Sequence, residues 1–266
     1  MRIRATVAAV SGALALSVLA VPVSQASSPS FALTRADAAP VISKVVVNSG
    51  KPIVLGTTAT KKVTVSVTAS HSSGIDDALS YIWRGRDSNP NLYGFGFHPD
   101  GERAKCKAAN ATTSTCTLTI TVDPGYLWNA NATTWRVYAG AWGKDGNFTE
   151  NDTFSSVRFQ RLSRLTANAS PEPVKKGGTI TVTGKLDRAN WDTHKYAGYA
   201  SQSVKLQFRK KKNSSTYTTV KTVKSSNTGT LKTTVKAVED GYWRWSFAGT
   251  ASTPAVNATG DFVDVK

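Results

Sequence analysis

The chain has 266 residues, of which 40% are hydrophobic and 19% are charged, and its formal net charge is +16. This composition fits a folded protein of one or two domains and excludes an intrinsically disordered chain. One Met, two Cys and three His leave little material for a metal cluster or a catalytic dyad, and no cofactor is expected.

The first 26 residues have the pattern of an export signal. A positively charged start and an apolar run at 7–21 precede small residues at 24–26, where a signal peptidase cuts. The apolar run is too short to span a membrane. The sequence therefore predicts a signal peptide over 1–26, with 36–38 as a second possible cleavage site, and a secreted, extracellular or cell-wall-associated protein. Residues 27–40 are rich in Ser, Ala and Pro, which predicts an unstructured lead-in.

Short predicted strands, separated by turns rich in Gly, Asn, Pro and Asp, follow one another from residue 41 to the end of the chain. Hydrophobic residues alternate with polar ones, the period of a strand with one buried face. No window shows a helical period over more than two turns. The runs in chain order are Val45–Val47, Val63–Val67, Tyr81–Trp83, Leu118–Val122, Trp135–Ala139, Phe154–Phe159, Ile180–Val182, Val204–Phe208, Tyr217–Val223, Leu231–Val235, Trp243–Phe247 and Phe262–Val265.

These strands divide into two sets near residues 160–165. Each half has the length and strand number of an antiparallel β-sandwich, so the predicted fold is all-β, with sandwiches at 41–163 and 164–266. A single large barrel is the alternative, but the second set begins with its own turn at 171–178. Residues 164–266 hold 17 basic and 7 acidic residues, a net charge of +10, whereas residues 40–163 carry +4.

Cys106 and Cys116 are the two cysteines of the chain. In an exported protein they most simply pair with each other. The segment between them is polar and turn-like, so the predicted disulfide closes a hairpin or ties a loop to a strand. In the chain-entropy model, a loop of this size contributes about 3 kcal/mol of stability.

Three stretches resemble bacterial immunoglobulin-like domains of the kind found in exported actinobacterial proteins. VTVSVTASHSSGIDDALSYIW (63–83) is similar to their opening strand and Asp-x-Ser-Gly-Ile turn, and WRVYAGAWGKDGNFTENDTFSSVRF (135–159) is similar to their closing strands. SVKLQFRKKKNSSTYTTVKTVKSSNTGTLKTTVKAVEDGYWRWSFAGT (203–250) resembles a second module. The resemblance implies immunoglobulin-like sandwiches that serve as spacers, adhesins or ligand binders. His71 stands where the family usually has Asp, which weakens a metal role for that turn.

Catalysis has no support in the sequence, and a non-enzyme is predicted. The three histidines, His71, His98 and His194, each lie in or next to a turn, and no nucleophile elbow, zinc-binding His-Glu-x-x-His or phosphate-binding Gly loop is present. The acidic residues stand in turn sequences and do not define a recognisable cleft, so no catalytic site can be assembled.

Calcium binding is one alternative function. Four oxygen donors lie within eight residues, and a hard cation favours such ligands; they are Asp145, Asn147, Glu150 and Asp152. The competing explanation is structural, because Asp and Asn are common in turns, where they tolerate left-handed backbone and cap it.

Aromatic loops provide another alternative, a carbohydrate- or protein-binding module. One segment alternates rings with glycine and is too Gly-rich for an ordinary strand, and a second cluster lies in a long connection of the second domain. Exposed rings in such loops stack on sugar faces or peptides, although rings in loops also plug the ends of a sandwich. The candidates are Tyr93, Phe95, Phe97, Trp191, Tyr196 and Tyr199.

Charge gives the leading prediction. A basic run at a hairpin tip comprises Arg209, Lys210, Lys211 and Lys212, and further lysines follow on adjacent strands at Lys221, Lys224, Lys232 and Lys236. With a strand period of two, Lys232 and Lys236 share one face. A stripe of cations without nearby acids, as this run predicts, attracts polyanions in a salt-dependent way, although charge runs are also ordinary solvated surface. The predicted partner is an anionic cell-wall polymer or acidic polysaccharide, rather than a specific nucleic acid.

Overall fold

The computed structural model describes residues 38–85, 94–211 and 215–266. The predicted signal peptide and most of the predicted lead-in lie outside these residues. The strands of the first half are β1 Val41–Val47, β2 Ile53–Leu55, β3 Lys61–Ser70, β4 Ile75–Gly85, β5 Gly94–Phe97, β6 Lys105–Ala108, β7 Thr113–Val122, β8 Thr134–Gly143 and β9 Phe148–Arg161. Short 3-10 turns lie at Asn48–Gly50, Pro124–Tyr126 and Asn129–Asn131.

These strands form two sheets whose order is that of an immunoglobulin domain. One sheet has the order β1-β3-β7-β6 and the other β2-β9-β8-β4-β5. Lettered in chain order, they are A-B-E-D and A′-G-F-C-C′, the arrangement of immunoglobulin sandwiches. The pairing of β2 with β9 is parallel, and the other pairings in these two sheets are antiparallel.

The core of the first sandwich forms because the apolar residues of each strand alternate with polar ones. Val63, Val65 and Val67 of β3 are fully buried, as the sequence predicts. The ring of Trp135 stacks on Phe159 with centroids 4.5 Å apart. Aromatic rings of β8 and β9 therefore fill the space between the two sheets.

The disulfide joins Cys106 of β6 to Cys116 of β7, which face each other across the hairpin. The predicted pairing is confirmed, as is its place in a hairpin. In antibody domains the disulfide instead links strands B and F across the two sheets. Here it ties an edge strand to its neighbour within one sheet.

The second half folds into a sandwich of the same type. Its strands are β10 Ser163–Leu165, β11 Asn168–Ser170, β12 Gly178–Asn190, β13 Lys195–Gly198, β14 Ser203–Lys210, β15 Thr218–Lys224, β16 Thr230–Ala237, β17 Gly241–Phe247, β18 Val256–Asn257 and β19 Asp261–Val263. The long strand β12 pairs with β10, β11, β13 and β16 in one sheet. In the other, β14 lies between β15 and β17, and β17 also pairs with β18 and β19.

The residues of strand β17 alternate between the core and the outer surface. Trp243, Trp245 and Phe247 point inward and are buried, while the residues between them lie on the outer face. The indole N–H of Trp245 donates to the carbonyl of Thr183 at 3.0 Å. Gly184 permits this packing, because a Cβ there would lie 2.6 Å from Cδ1 of Trp245.

The two sandwiches meet along an ordered junction, and both belong to one compact unit. The chain passes from β9 to β10 through Leu162 alone. Trp191 follows β12 in the second sandwich, yet it is completely buried in the core of the first. Its indole N–H donates to the carbonyl of Gly56 at 2.8 Å. A residue of one sandwich thus completes the core of the other.

Hydrogen bonds between polar groups reinforce this junction. Asn129 of the first sandwich donates its backbone N–H to Asp192 at 2.8 Å and its side-chain N–H to Asn190 at 2.8 Å. Arg161 donates Nε–H to the carbonyl of Ala189 at 2.6 Å. Burial, with the nearby charge of Arg188, lowers the pKa of Arg161 to about 10. Directional hydrogen bonds therefore fix the contact between the sandwiches.

Two segments expected as loops are strands. Gly94–Phe97 forms β5 and pairs with β4, with Gly96 opposite Trp83. A Cβ at Gly96 would lie 3.0 Å from the carbonyl oxygen of Ile82. Lys195–Gly198 pairs with β12 as β13. In both cases the partner strand offers backbone hydrogen bonds that the local composition does not reveal. Among the described residues, no helix has the length and apolar character needed to cross a membrane.

Candidate functional site

The outer face of the β15-β14-β17-β19 sheet carries aromatic rings and cations in alternation. Arg209 of β14 stands opposite Tyr242 of β17, and Tyr242 stands opposite Phe262 of β19. Because side chains alternate across a strand, Arg244 shares this face with Tyr242. We call the group the aromatic–cation face; its members are Arg209, Lys211, Tyr217, Tyr242, Arg244 and Phe262.

The cations of the aromatic–cation face lie over its rings. The Arg244 guanidinium carbon is 3.7 Å from the ring centroid of Tyr217, and that of Arg209 is 4.3 Å from Tyr242. The Lys211 ammonium is 4.8 Å from the ring of Phe262. These distances fall within the range of cation–π attraction. The rings hold the positive charges at defined places on the sheet.

One hydrogen bond and one tight approach position this face further. Arg244 donates Nε–H to Oε1 of Gln207 at 3.0 Å, so one edge of its guanidinium is fixed. Gly260 leaves room for Tyr217, since a Cβ there would collide with the tyrosine hydroxyl. The rings and guanidinium groups are half-buried, and each keeps a surface toward solvent.

The basic run predicted at a single hairpin tip splits between the two faces of β14, because neighbouring side chains of a strand point in opposite directions. Arg209 lies on the aromatic–cation face, whereas Lys210, the next residue, pairs with Glu239 at 2.9 Å. Lys211 lies 3.7 Å from a carboxylate oxygen of Asp240, and Lys212 lies outside the described residues. The prediction of cations without nearby acids is therefore wrong for Lys210 and Lys211, because the loop before β17 brings two carboxylates to them.

The remaining predicted lysines occupy other surfaces. Lys232 and Lys236 of β16 are exposed on one face, opposite Thr183 and Thr179, as the strand period predicts. They belong to the sheet across the core from the aromatic–cation face. Lys221 and Lys224 lie on the edge strand β15. The basic character of this sandwich is thus spread over both sheets.

Most of the predicted aromatic-loop residues are packing groups. Trp191 is fully buried, Phe97 is buried, and Phe95 is half-buried in an edge-on contact with Trp135, with ring centroids 5.7 Å apart. Tyr196 packs on the core of the first sandwich beneath Arg164, and Tyr199 packs on Phe247. The prediction of Trp191 and Phe97 as ligand-stacking residues is wrong, because the sandwich core covers both rings. Tyr93 lies outside the described residues.

Two aromatic residues that the sequence analysis did not single out are strongly exposed to solvent. Tyr126 and Trp128 are 64% and 63% exposed, and Leu127 between them is buried. The turn is fixed from both sides: Asp123 accepts from the Gly125 N–H at 2.7 Å, and the Trp128 N–H donates to the Asn131 side chain at 2.7 Å. The pair is held in solvent by a rigid turn. In the sequence, the signal that could have pointed to these two rings is the Pro-Gly turn directly before Tyr126.

The predicted calcium ligands do not converge. The Asp145 carboxylate accepts hydrogen bonds from the backbone and side chain of Asn147 and lies 3.5 Å from the ring of buried His71. Glu150 accepts from the Tyr138 hydroxyl at 2.5 Å. The backbone carbonyl of Asp152 accepts from the indole of Trp83. Within the described ranges no cluster of three or more acidic, His or Cys residues is placed to hold a metal.

Two side chains in this region, Asp145 and Tyr138, have pKa values shifted by their neighbours. Partial burial raises the pKa of Asp145, but the hydrogen bonds from Asn147 and the nearby His71 outweigh it and bring the pKa below its ordinary value. Burial, followed by the hydrogen bond to Glu150, raises the pKa of Tyr138 well above its ordinary value. Both groups stabilise local structure. Asp145 closes the β8–β9 hairpin, and Tyr138 fixes the outer face of its sheet.

The strand order defines the class of this chain as a pair of immunoglobulin-like sandwiches. Residues 54–141 match the model of a family described as "Family of unknown function (DUF5707)". That match covers most of the first sandwich and none of the second. No curated protein matches the chain.

Several solved structures show low similarity over most of the chain. The D00-D0 domain of intimin is 15% identical and has a TM-score of 0.27, with 83% of this chain and 99% of that chain covered. The Yersinia pseudotuberculosis adhesin InvE is 14% identical with a TM-score of 0.27, over 84% of this chain and 60% of that one. Titin Z1Z2 in complex with telethonin is 10% identical with a TM-score of 0.23, over 87% and 98%. Because each TM-score is below 0.5, the fold is defined here by its strand pairing.

Proposed function

We propose that this chain is an exported, non-catalytic binding protein whose second sandwich docks on an anionic polymer of the cell surface. The observation that carries the proposal is the aromatic–cation face, where Arg209, Lys211 and Arg244 lie over three rings on one sheet. The net charge of +10 in residues 164–266 adds long-range attraction for a polyanion. The disulfide and the predicted signal peptide support an extracellular setting.

The chemistry of the face suits a polymer that carries both sugar or polyol units and anionic groups. Guanidinium groups donate in pairs to phosphate or carboxylate oxygens. Aromatic rings provide apolar surface for the C–H faces of the chain between those groups. Because the cations already rest on rings, less side-chain entropy is lost when they bind. Wall teichoic acid, a polyol-phosphate polymer, is the ligand class that we favour.

The test is sedimentation of the full mature chain with isolated Gram-positive cell walls across a sodium chloride series, with binding to purified wall teichoic acid measured in parallel. The double variant Arg209→Gln/Arg244→Gln removes two cations from the aromatic–cation face. We expect affinity at low salt to fall about tenfold and the slope of log affinity against log salt to decrease by about two.

The matched control is Lys232→Gln/Lys236→Gln, which removes two charges from the opposite sheet of the same sandwich. Its affinity loss should be clearly smaller. Equal losses in the two double variants would show attraction by net charge alone, and failure of the unmodified protein to sediment would refute polymer docking. Thermal unfolding of both variants checks that the fold is intact.

Tyr126 and Trp128 favour a second candidate function, the binding of a neutral glycan or a protein through aromatic contacts. A rigid turn holds both rings in solvent, and such rings are frequent anchors in recognition. Screening the chain and its Tyr126→Ala/Trp128→Ala variant on a panel of neutral glycans tests this function. Binding that is insensitive to salt and lost in the variant supports it. Calcium binding has no converging ligand set among the described residues to support it.

A further inference from the structure

The first sandwich contains a separate cavity of about 500 Å³ at the end of strands β4, β5 and β8. Trp83 and Arg136 are register partners on β4 and β8, and Arg84 stands opposite Phe95 of β5. Because neighbouring residues of a strand face opposite ways, the cavity curves around the end of the sheet. The turn at Asn129–Asn131 closes one side. The lining residues relevant here are Trp83, Arg84, Phe95, Asn131, Thr134 and Arg136.

Two guanidinium groups are anchored at this cavity. Arg136 donates an N–H to the carbonyl of Gly85 at 2.9 Å, and its guanidinium carbon lies 4.8 Å from the ring centroid of Trp83. Arg84 donates to the carbonyl of Ala130 at 3.2 Å. A guanidinium has five N–H donors, so each arginine can bind one carbonyl and still donate hydrogen bonds to a ligand. The described lining of the cavity contains no carboxylate that would neutralise these charges.

The rest of the lining offers an apolar surface and neutral polar groups. Trp83 is held in place because its indole N–H donates to the carbonyl of Asp152 at 2.7 Å. Phe95 is held by edge contact with Trp135. The Asn131 side-chain oxygen accepts from the backbone N–H of Trp128, which leaves its amide N–H groups as donors. Thr134 adds a hydroxyl that both donates and accepts.

We propose that this cavity binds an acidic sugar, a hexuronate ring or the end of a chain that contains one. The carboxylate binds to Arg84 and Arg136, the ring hydroxyls to Asn131 and Thr134, and the ring C–H face lies on half-buried Phe95. A volume of about 500 Å³ is within the range of small-ligand sites. The site is independent of the aromatic–cation face, which belongs to the other sandwich.

The experiment uses the full mature chain and sodium D-glucuronate, with binding measured by isothermal titration calorimetry and by ligand-observed saturation-transfer NMR. D-glucose tests the need for the carboxylate, and acetate and inorganic phosphate test the need for the sugar ring. We expect glucuronate to bind more tightly than all three. Arg136→Gln and Arg84→Gln should each weaken it by about tenfold or more, because each removes a charge-assisted hydrogen bond.

Two matched variants make the result specific. Lys62→Gln removes a cation from an exposed position of β3, in the opposite sheet of the same sandwich, and should leave glucuronate affinity unchanged. Arg209→Gln/Arg244→Gln should also leave it unchanged, so failure of polymer docking and failure of this site are distinguishable. Arg136→Lys preserves the charge without the planar fork and should recover only part of the affinity.

Three outcomes would overturn the proposal. The first is glucuronate binding that persists in both Arg136→Gln and Arg84→Gln, and the second is absence of glucuronate binding to the unmodified chain at millimolar concentration. The third is binding of acetate or inorganic phosphate as tight as that of glucuronate, which would reduce the cavity to a simple anion site. Thermal unfolding of each variant separates loss of binding from loss of fold.

Discussion

The indole N–H of Trp191 donates a 2.8 Å hydrogen bond to the backbone carbonyl of Gly56, so a residue of the second sandwich is anchored inside the core of the first. Trp191 is completely buried, and the hydrogen bond satisfies its one polar atom. Tyr196, from the next strand, packs beside it and approaches Gly56 with its hydroxyl. The two sandwiches therefore share apolar core and are expected to unfold together.

Trp191→Ala is expected to lower the free energy of unfolding by about 3–5 kcal/mol, the usual cost of truncating a fully buried aromatic side chain. Chemical denaturation followed by circular dichroism measures this loss. The unmodified chain should unfold in one transition. The variant should show two, because the first sandwich loses part of its core and the sandwiches lose their coupling.

Trp128→Ala is the matched control for that prediction. Trp128 is 63% exposed, so its removal should change stability by no more than about 0.5 kcal/mol. If Trp128→Ala and Trp191→Ala had the same effect, the burial of Trp191 would not be what joins the sandwiches.

Tyr242→Leu tests the contribution of the rings to the aromatic–cation face. The substitution removes the π surface beneath Arg209 while it keeps an apolar side chain. We expect teichoic acid affinity to fall about two- to fivefold, the size of an exposed cation–π contribution. The salt dependence should stay unchanged, because no charge is removed. A reduced slope with unaltered low-salt affinity would contradict a positioning role for the ring.

Glu239→Gln should increase the affinity for an anionic polymer. Glu239 pairs with Lys210 at 2.9 Å in an exposed position, so its removal releases one cation next to the aromatic–cation face. We expect the slope of log affinity against log salt to steepen by about one. Stability should change by less than about 1 kcal/mol, because exposed ion pairs contribute little. Glu102→Gln, the same charge change at an exposed site of the first sandwich, should have a smaller effect on binding.

The Asp145 carboxylate should make stability depend on pH in the acid range. Its folded-state pKa lies below its ordinary value, so the unfolded chain binds the proton more tightly. The resulting stabilisation is present above about pH 4, near the ordinary pKa of Asp, and is lost progressively as pH falls below it. Asp145→Asn keeps an oxygen acceptor for the Asn147 N–H and lacks this dependence. The difference in Tm between the two proteins should therefore narrow below about pH 4; a constant difference would contradict the assignment.

The strands were predictable where a strand buries one face against a uniform core. Val63, Val65 and Val67, and the inward rings at Trp243 and Trp245, show the period of two and are buried. The predictions failed at β5 and β13, whose backbone pairs with long neighbouring strands although their composition is that of loops. Pairing of this kind depends on which strand lies alongside, and local sequence does not encode that neighbour.

The candidate sites were only partly predictable. Arg209 and Lys211 were found through charge, but Tyr242 and Arg244 were not, although their alternation with buried tryptophans marks one outer face of β17. Carboxylates that arrive from a different loop, such as Glu239 beside Lys210, alter a basic run in a way that its own sequence does not show. The cavity at Arg84 and Arg136 brings together residues far apart in the chain.

By itself, the sequence determined the all-β architecture, the Cys106–Cys116 hairpin disulfide and the excess of positive charge in the second half. The alternation of apolar and polar residues, the number of cysteines and the charge are properties of the sequence, so they can be identified without a structure. The tertiary structure decided that Trp191 is a core residue and that Trp128 faces solvent. Two tryptophans in turns look alike in sequence. Only the packing of the two sandwiches against each other places Trp191 in the core of the first and leaves Trp128 in solvent.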